Sequence, residues 1–234
     1  MPWELFEQAA PRYGDWYATR RGRRVDEAEC ALLTWLLALF PAAQSVLEVG
    51  CGTSHFVEWL AERSLSVVGL DRSPAMLREM RAHRPDIPAV LGDAHRLPFR
   101  DGAVDLALFV TTLEFLDDPE EALAEAARVA RRGLLVVALN RWSLGGLSRR
   151  HGPQSRRPVL SRARDVGASE LKRLVVQAAG SRPVRIRWSS TLFPWPFRGW
   201  QSRIPLGDVI GLAMVWGEVG LTPGCISPAP GAVE

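Results

Sequence analysis

Apolar and polar positions along this chain fall into short blocks that repeat in a fixed order. Ser45 to Val49 is a short apolar run that closes on Gly50-Cys51-Gly52, and an apolar-periodic run from Phe56 to Leu60 follows. This reads as a strand, a glycine turn and a helix over 54–63. The same alternation continues. Strand 66–70 leads to a helix from Pro74 to Ala82, with Ser73 as its cap and proline at its first position. Ile87 to Leu91 and Val104 to Val110 read as strands, Asp118 caps a helix from Pro119 to Ala130, and Leu134 to Leu139 is another strand. Strands that are apolar almost throughout belong to a sheet buried on both faces. Strict alternation of strand and helix predicts an α/β fold with a parallel, doubly wound sheet.

The flanks are less regular. Residues 1–22 are polar with scattered aromatics, and Leu5, Ala9 and Tyr13 fall at helical spacing. They read as a helix packed on the sheet or a flap over a pocket. Asp26 is placed to cap a largely buried helix from Glu27 to Phe40, which Pro41 ends. Residues 140–164 break the alternation with Gly, Ser, Arg and Pro and read as a long loop with a short helix near Leu144 to Arg149. Ser169 is placed to cap a helix that ends at Gly180. Val184 to Ser190 alternates like an edge strand, and Val209 to Val219 is a last apolar strand. Between them, 192–205 carries Phe193, Trp195, Phe197 and Trp200, and from Thr222 on prolines and glycines suggest a loose tail. The organisation is a single domain over 1–234: a helical cap (1–44), a core (45–140), a basic loop (141–168) and a C-terminal part (169–234).

Composition narrows the class. With 47% apolar and 24% charged residues, the 234-residue chain has the balance of a globular protein. No run of about 18 uncharged apolar residues is present, so no membrane span is expected. Glu4 and Glu7 interrupt the N-terminus, which does not read as a signal peptide. Cys30, Cys51 and Cys225 lack metal-type spacing, which argues for reduced thiols in a cytoplasm and against zinc. The net charge is +3, and Lys172 is the one lysine among 29 basic residues. Genome composition explains that skew better than a nucleic-acid role, although Arg20 to Arg24 and Arg149 to Arg164 form two clusters.

The first half carries the chemistry. Glycines let the backbone turn sharply and let a ligand approach it. Free N–H groups at the following helix start attract polar or negative groups. Asp71 lies 19 residues past Gly52, at the end of the next strand. A carboxylate at that spacing can accept hydrogen bonds from ribose hydroxyls, so a nucleoside-containing cofactor is expected. Position 55 is His, where a dinucleotide turn places its third glycine, which disfavours NAD.

These residues resemble a family. Leu47-Glu48-Val49-Gly50-Cys51-Gly52-Thr53 is similar to the first motif of the Rossmann-like S-adenosylmethionine-dependent methyltransferases, in the methyltransferase type 11 group with the ubiquinone and menaquinone enzymes. Gly69 to Leu77, Gly92-Asp93-Ala94 with Leu97-Pro98-Phe99, Asp105 to Leu116 with Asp118-Pro119, and Glu125 to Val129 with Gly133 resemble the later motifs in order. The resemblance covers residues 45–140, with a weaker echo over 169–180. It implies a seven-stranded, mostly parallel sheet with helices on both faces and the last strand antiparallel. It also implies S-adenosyl-L-methionine as cofactor, with S-adenosyl-L-homocysteine as product. Glu48, Gly50 and Gly52 would line the methionine part, with Cys51 as a small residue in the turn. Asp71 would bind the ribose, Arg72 would lie over the adenine, and Asp93 with the Ala94 N–H would read its edge. Met76, Thr111 and Thr112 complete the cofactor set. The family's third glycine is Ser54 here, where serine can serve as a helix cap.

Methyl transfer chiefly needs alignment and exclusion of water. Where an acceptor needs a base, Glu114, His95 and His151 are candidates by position, with structural roles weighed ahead of catalytic ones. Thr111-Thr112-Leu113-Glu114-Phe115 stands where nucleobase amino methyltransferases carry Asn/Asp-Pro-Pro-Tyr, which argues against a nucleobase. A small, partly apolar acceptor near Tyr13, Tyr17, Phe115, Trp195 and Phe197 is expected. The segment 193–200 reads equally as a lid or as a homodimer contact, with burial in the sheet's own core as a third reading. Two other classes stay open: a cofactor-binding regulatory protein without turnover, and an RNA methyltransferase using the Arg149 to Arg164 loop.

Overall fold

The computed structural model describes residues 3–151, 162–192, 201–202 and 206–216. Three helices open the chain: α1 (Trp3–Tyr13), α2 (Asp15–Ala18) and α3 (Arg20–Leu37). Then come β1 (Ser45–Val49), α4 (His55–Ala61), β2 (Ser66–Asp71), α5 (Pro74–His83), β3 (Ala89–Leu91) and β4 (Val104–Val110). After a single 3-10 turn at Leu113–Phe115 follow α6 (Pro119–Val129), β5 (Ala130–Leu139), α7 (Leu144–His151), α8 (Ala168–Ala179), β6 (Val184–Thr191) and β7 (Val209–Trp216).

The strands form one sheet in the order β3-β2-β1-β4-β5-β7-β6. β1 to β5 are parallel, and β7 runs antiparallel to both of its neighbours. This is the doubly wound, seven-stranded α/β sheet with an antiparallel last strand. Successive residues of β4 explain its unbroken apolar run. Leu106, Leu108 and Val110 pack with α3, α4 and α5, while Ala107 and Phe109 pack with α6 and α8 on the opposite face. Each strand therefore needs apolar side chains at both parities. On the first face α3 lies close to the sheet: a Cβ at Gly211 would stand 2.6 Å from Leu32 Cδ2.

The sheet order reverses between β1 and β4, and open α/β sheets bind ligands at the carboxyl side of that point. The two strand ends meet there, since a Cβ on Gly50 would lie 2.4 Å from Thr112 Cγ2. The opposite end of the same strands is locked by Asp105. Its buried carboxylate accepts from Gln44 N, Ser45 N, Ser45 Oγ, Arg131 and Arg132. Burial alone would raise its pKa, but these donors hold it well below the usual carboxylate range.

Three helix starts differ from the sequence pattern. The first long helix begins at Arg20, not Glu27, and its cap is Thr19, which accepts from Gly22 N at 2.9 Å. Arg20, Arg21, Arg23 and Arg24 are exposed, good helix formers, so despite the buried Gly22 the helix starts about two turns ahead of Glu27. Asp26 is then interior and instead contacts His55 Nε2. Gly167, not Ser169, precedes α8. Ser54 precedes α4 but gives no side-chain cap. Its backbone is left-handed (φ 99°), and its hydroxyl donates to Glu58. Trp195, Phe197, the rest of 193–200, much of the Arg149 to Arg164 cluster and the His151 side chain lie outside the described residues.

Candidate active site

The glycine turn is held from beneath. Gly50 N and Cys51 N both donate to Leu70 O, at 2.7 and 3.0 Å. Gly50 and Gly52 adopt φ of 76° and 56°, values that a side chain would strain. Gly52 N then donates to Asp71 Oδ2 at 2.9 Å, and Ser73 N donates to Asp71 Oδ1 at 2.8 Å. One carboxylate thus joins the turn after β1 to the start of α5. Burial pushes its pKa up, and these N–H donors oppose the shift. Across the switch point Thr111 has φ of 49°, rare for a β-branched residue and typical of strain at binding sites.

Glu48 stands at the end of β1 with 2% exposure, and its Oε2 accepts no hydrogen bond from any described residue. Burial drives its carboxyl well above the ordinary range, and the charge of Asp71 adds to this. A buried acid oxygen without a donor is costly unless a ligand supplies one. Cys51, with its thiol shifted up by burial, packs against the strand below, where a Cβ on Gly69 would lie 2.8 Å from its Sγ.

These groups open into a cavity of about 630 Å³. Its base is the carboxyl edge of β1, β2 and β4, and its roof is α1 and α2. Tyr17 stacks on His55 with centroids 3.6 Å apart, and Phe6 meets Phe115 edge-on at 5.0 Å. Tyr13 faces the glycine turn, its Cε1 3.9 Å from where a Gly52 Cβ would stand. Burial, reinforced by Glu29, Asp71 and Glu114, pushes the Tyr13 phenol up to about 12. The roof is fastened to the core by Glu7, whose Oε1 accepts from Ser73 Oγ at 2.6 Å and from Ala75 N at 3.2 Å.

Glu48, Gly50, Cys51, Gly52, Asp71, Arg72, Met76, Asp93, Ala94, Thr111 and Thr112 all line this one cavity, as do Tyr13, Tyr17 and Phe115. Arg72 lies 3.6 Å from Asp93 Oδ2, and Asp93 Oδ1 accepts from His95 N. The candidate bases differ in placement. His95 lines the cavity, but its Nε2 accepts from Asp118 N at 3.2 Å, which leaves Nδ1 to donate to Asp93 Oδ1 at 2.6 Å. Both ring nitrogens are thus engaged in hydrogen bonds. Glu114 is buried outside the cavity lining and accepts from Leu139 N at the end of β5.

His55 and Glu29 line the cavity and Glu7 fastens its roof, roles that the sequence reading assigned to none of the three. Glu29 lies at the head of a helical stripe with Leu32, Leu33 and Leu36, spaced three, four and seven residues on. A lone acid in such a stripe was the available signal.

Residues 47–138 match the model of the methyltransferase domain family. A demethylmenaquinone methyltransferase of Renibacterium salmoninarum is 37% identical over 141 residues, which are 57% of this chain and 56% of that protein. The chain spans about half the length of the curated relatives it matches. An S-adenosylmethionine-dependent methyltransferase of Thermotoga maritima, a possible histamine N-methyltransferase, superposes with a TM-score of 0.76 at 26% identity, over 92% of this chain and all of that one. Magnesium protoporphyrin IX methyltransferase of Synechocystis, solved with bound cofactor, shares the fold at a TM-score of 0.63 and 14% identity, over 93% of this chain and 98% of that one. Over residues 47–138 the chain is thus similar to the methyltransferase domain family, and its fold is that of the Rossmann-like S-adenosylmethionine-dependent methyltransferase it superposes on.

Proposed function

We propose that this protein transfers the methyl group of S-adenosylmethionine to a small, partly apolar acceptor by direct in-line displacement. The observation that carries the reading is Glu48: a buried carboxyl oxygen without a donor among the described residues, beside the glycine turn, in a cavity of about 630 Å³. The cofactor's ammonium group supplies the donor that Glu48 Oε2 lacks. Asp71, already bonded to Gly52 N and Ser73 N, keeps further lone pairs for the ribose hydroxyls. Arg72, Asp93 and the Ala94 N–H border the adenine. When bound, the sulfonium supplies a methyl group that is electrophilic without protein acid–base chemistry.

The work left to the chain is to place the acceptor and keep water out. The aromatic roof of Phe6, Tyr13, Tyr17 and Phe115 suits both tasks. The acceptors named for the similar proteins, demethylmenaquinone, histamine and magnesium protoporphyrin IX, support a small molecule. The test is release of S-adenosylhomocysteine on a panel of small acceptors. Turnover on at least one, lost in Glu48→Gln, is expected. Binding of the cofactor with no turnover on any acceptor would instead favour a regulatory protein.

A further inference from the structure

Glu29 is 4% exposed, lines the cavity, and makes no hydrogen bond or ion pair with any described residue. A carboxyl taken out of water without a partner destabilises the fold unless it keeps its proton or receives a ligand. The groups that face it are acids from every side: Asp26 on its own helix, Glu114 after β4, and the phenols of Tyr13 and Tyr17 in the roof. None of the basic residues lining the cavity neutralises it. His55 is bonded to Asp26, Arg72 and His95 face Asp93, and Arg12 and Arg21 form no ion pair with it. The rings of Phe6, Tyr13, Tyr17 and Phe115 line the same cavity, and aromatic faces attract cations.

We propose that Glu29 is the acceptor-binding carboxyl of this site, and that the acceptor it holds carries a protonated amine. The ammonium donates to the Glu29 oxygens, and its apolar body lies against the roof rings. A neutral hydroxyl leaves that carboxyl without a counter-charge, so the pocket discriminates against alcohols of equal shape. This inference rests on the methyl-transfer reading above. Burial, with Asp26 and Glu114, pushes the Glu29 carboxyl up to about 8. The empty site therefore holds a proton at neutral pH, and an arriving ammonium displaces it.

The full-length protein, saturated with S-adenosylhomocysteine, is titrated calorimetrically at pH 7 with 2-phenylethylamine, tryptamine and their matched alcohols. Each titration is run in two buffers of different ionisation enthalpy, which reports proton release. The expected result is binding of an amine at least tenfold tighter than its alcohol, with a proton released. Glu29→Gln should weaken the amine at least tenfold and abolish the release, with S-adenosylhomocysteine affinity within twofold of wild type. Equal binding of alcohols, no binding of either amine, or an unchanged Glu29→Gln variant would overturn the inference. The amine-to-alcohol comparison in the wild type stands even where the variant does not fold. Failure of the wild type to bind S-adenosylhomocysteine would overturn the methyl-transfer reading itself, a result read before any amine is added.

Discussion

Asp71 Oδ2 accepts a hydrogen bond from Gly52 N across the 19 residues that separate the two. The spacing first suggested a ribose contact, but the same carboxylate also fixes the glycine turn and, through Ser73 N, the entry to α5. Asp71→Asn keeps one carbonyl acceptor and loses the charge, whereas Asp71→Ala loses both N–H bonds. Calorimetric titration should show at least a tenfold loss of S-adenosylhomocysteine affinity for Asn and a larger loss for Ala. Thermal unfolding should show a lower Tm for Ala than for Asn. Equal Tm values for the two would mean that the carboxylate does not organise the turn.

Ser54 holds φ of 99° with no capping bond to offset it. Left-handed backbone costs a residue with a Cβ roughly 1–2 kcal/mol, while the hydroxyl bond to Glu58 is a local one of about 1 kcal/mol. Ser54→Gly should therefore leave stability unchanged or raise it by up to about 1 kcal/mol, which for a chain of this size is about 2–4 °C in Tm. A fall in Tm of similar size would show that the Glu58 bond outweighs the strain.

Glu7 bridges 66 residues to reach Ser73 Oγ. The contact ties the roof helix to α5, which starts beside Asp71 and Arg72. Glu7→Ala should speed amide hydrogen exchange over residues 3–18 several-fold while exchange in β1, β4 and β5 stays at the wild-type rate. Uniform acceleration across the chain would show that the bridge supports the whole fold and not the roof alone.

The core was legible in the sequence because burial on both faces writes each strand as an apolar run, and the glycine turn fixes where the ligand edge lies. The roof was much less legible. Arg20 to Arg24 carry no apolar stripe, so the first turns of α3 were hidden. Glu7 and Ser73, and His55 with Asp26, are pairs far apart in sequence, and no local pattern predicts them. Glu29 reads as a tolerated acid in an apolar stripe until the fold leaves it facing a cavity without a partner. Ser54 reads as a cap because its residue type suits one, while its backbone takes the glycine conformation of the turn.

Glu29 also predicts a pH dependence of stability. Its carboxyl keeps its proton up to about 8 in the folded chain and loses it near 4.5 when unfolded. The folded state binds more protons between those values, so stability falls as pH rises through that window, by at most about 1.4 kcal/mol per pH unit from this group. Glu48, also raised by burial, adds a slope of the same sign. Urea unfolding of wild type and Glu29→Gln without ligand, from pH 5 to 8, should show a shallower fall in the variant. Identical slopes would mean that Glu29 does not titrate in this range.

The central claim, that the glycine turn and Asp71 form a site for S-adenosylmethionine, is tested most directly by calorimetric titration of wild type and Asp71→Ala with S-adenosylmethionine, S-adenosylhomocysteine and NAD. Micromolar binding of the first two by the wild type, lost in the variant and absent for NAD, is the predicted result. Binding of NAD alone, or S-adenosylhomocysteine binding that survives Asp71→Ala undiminished, would contradict it.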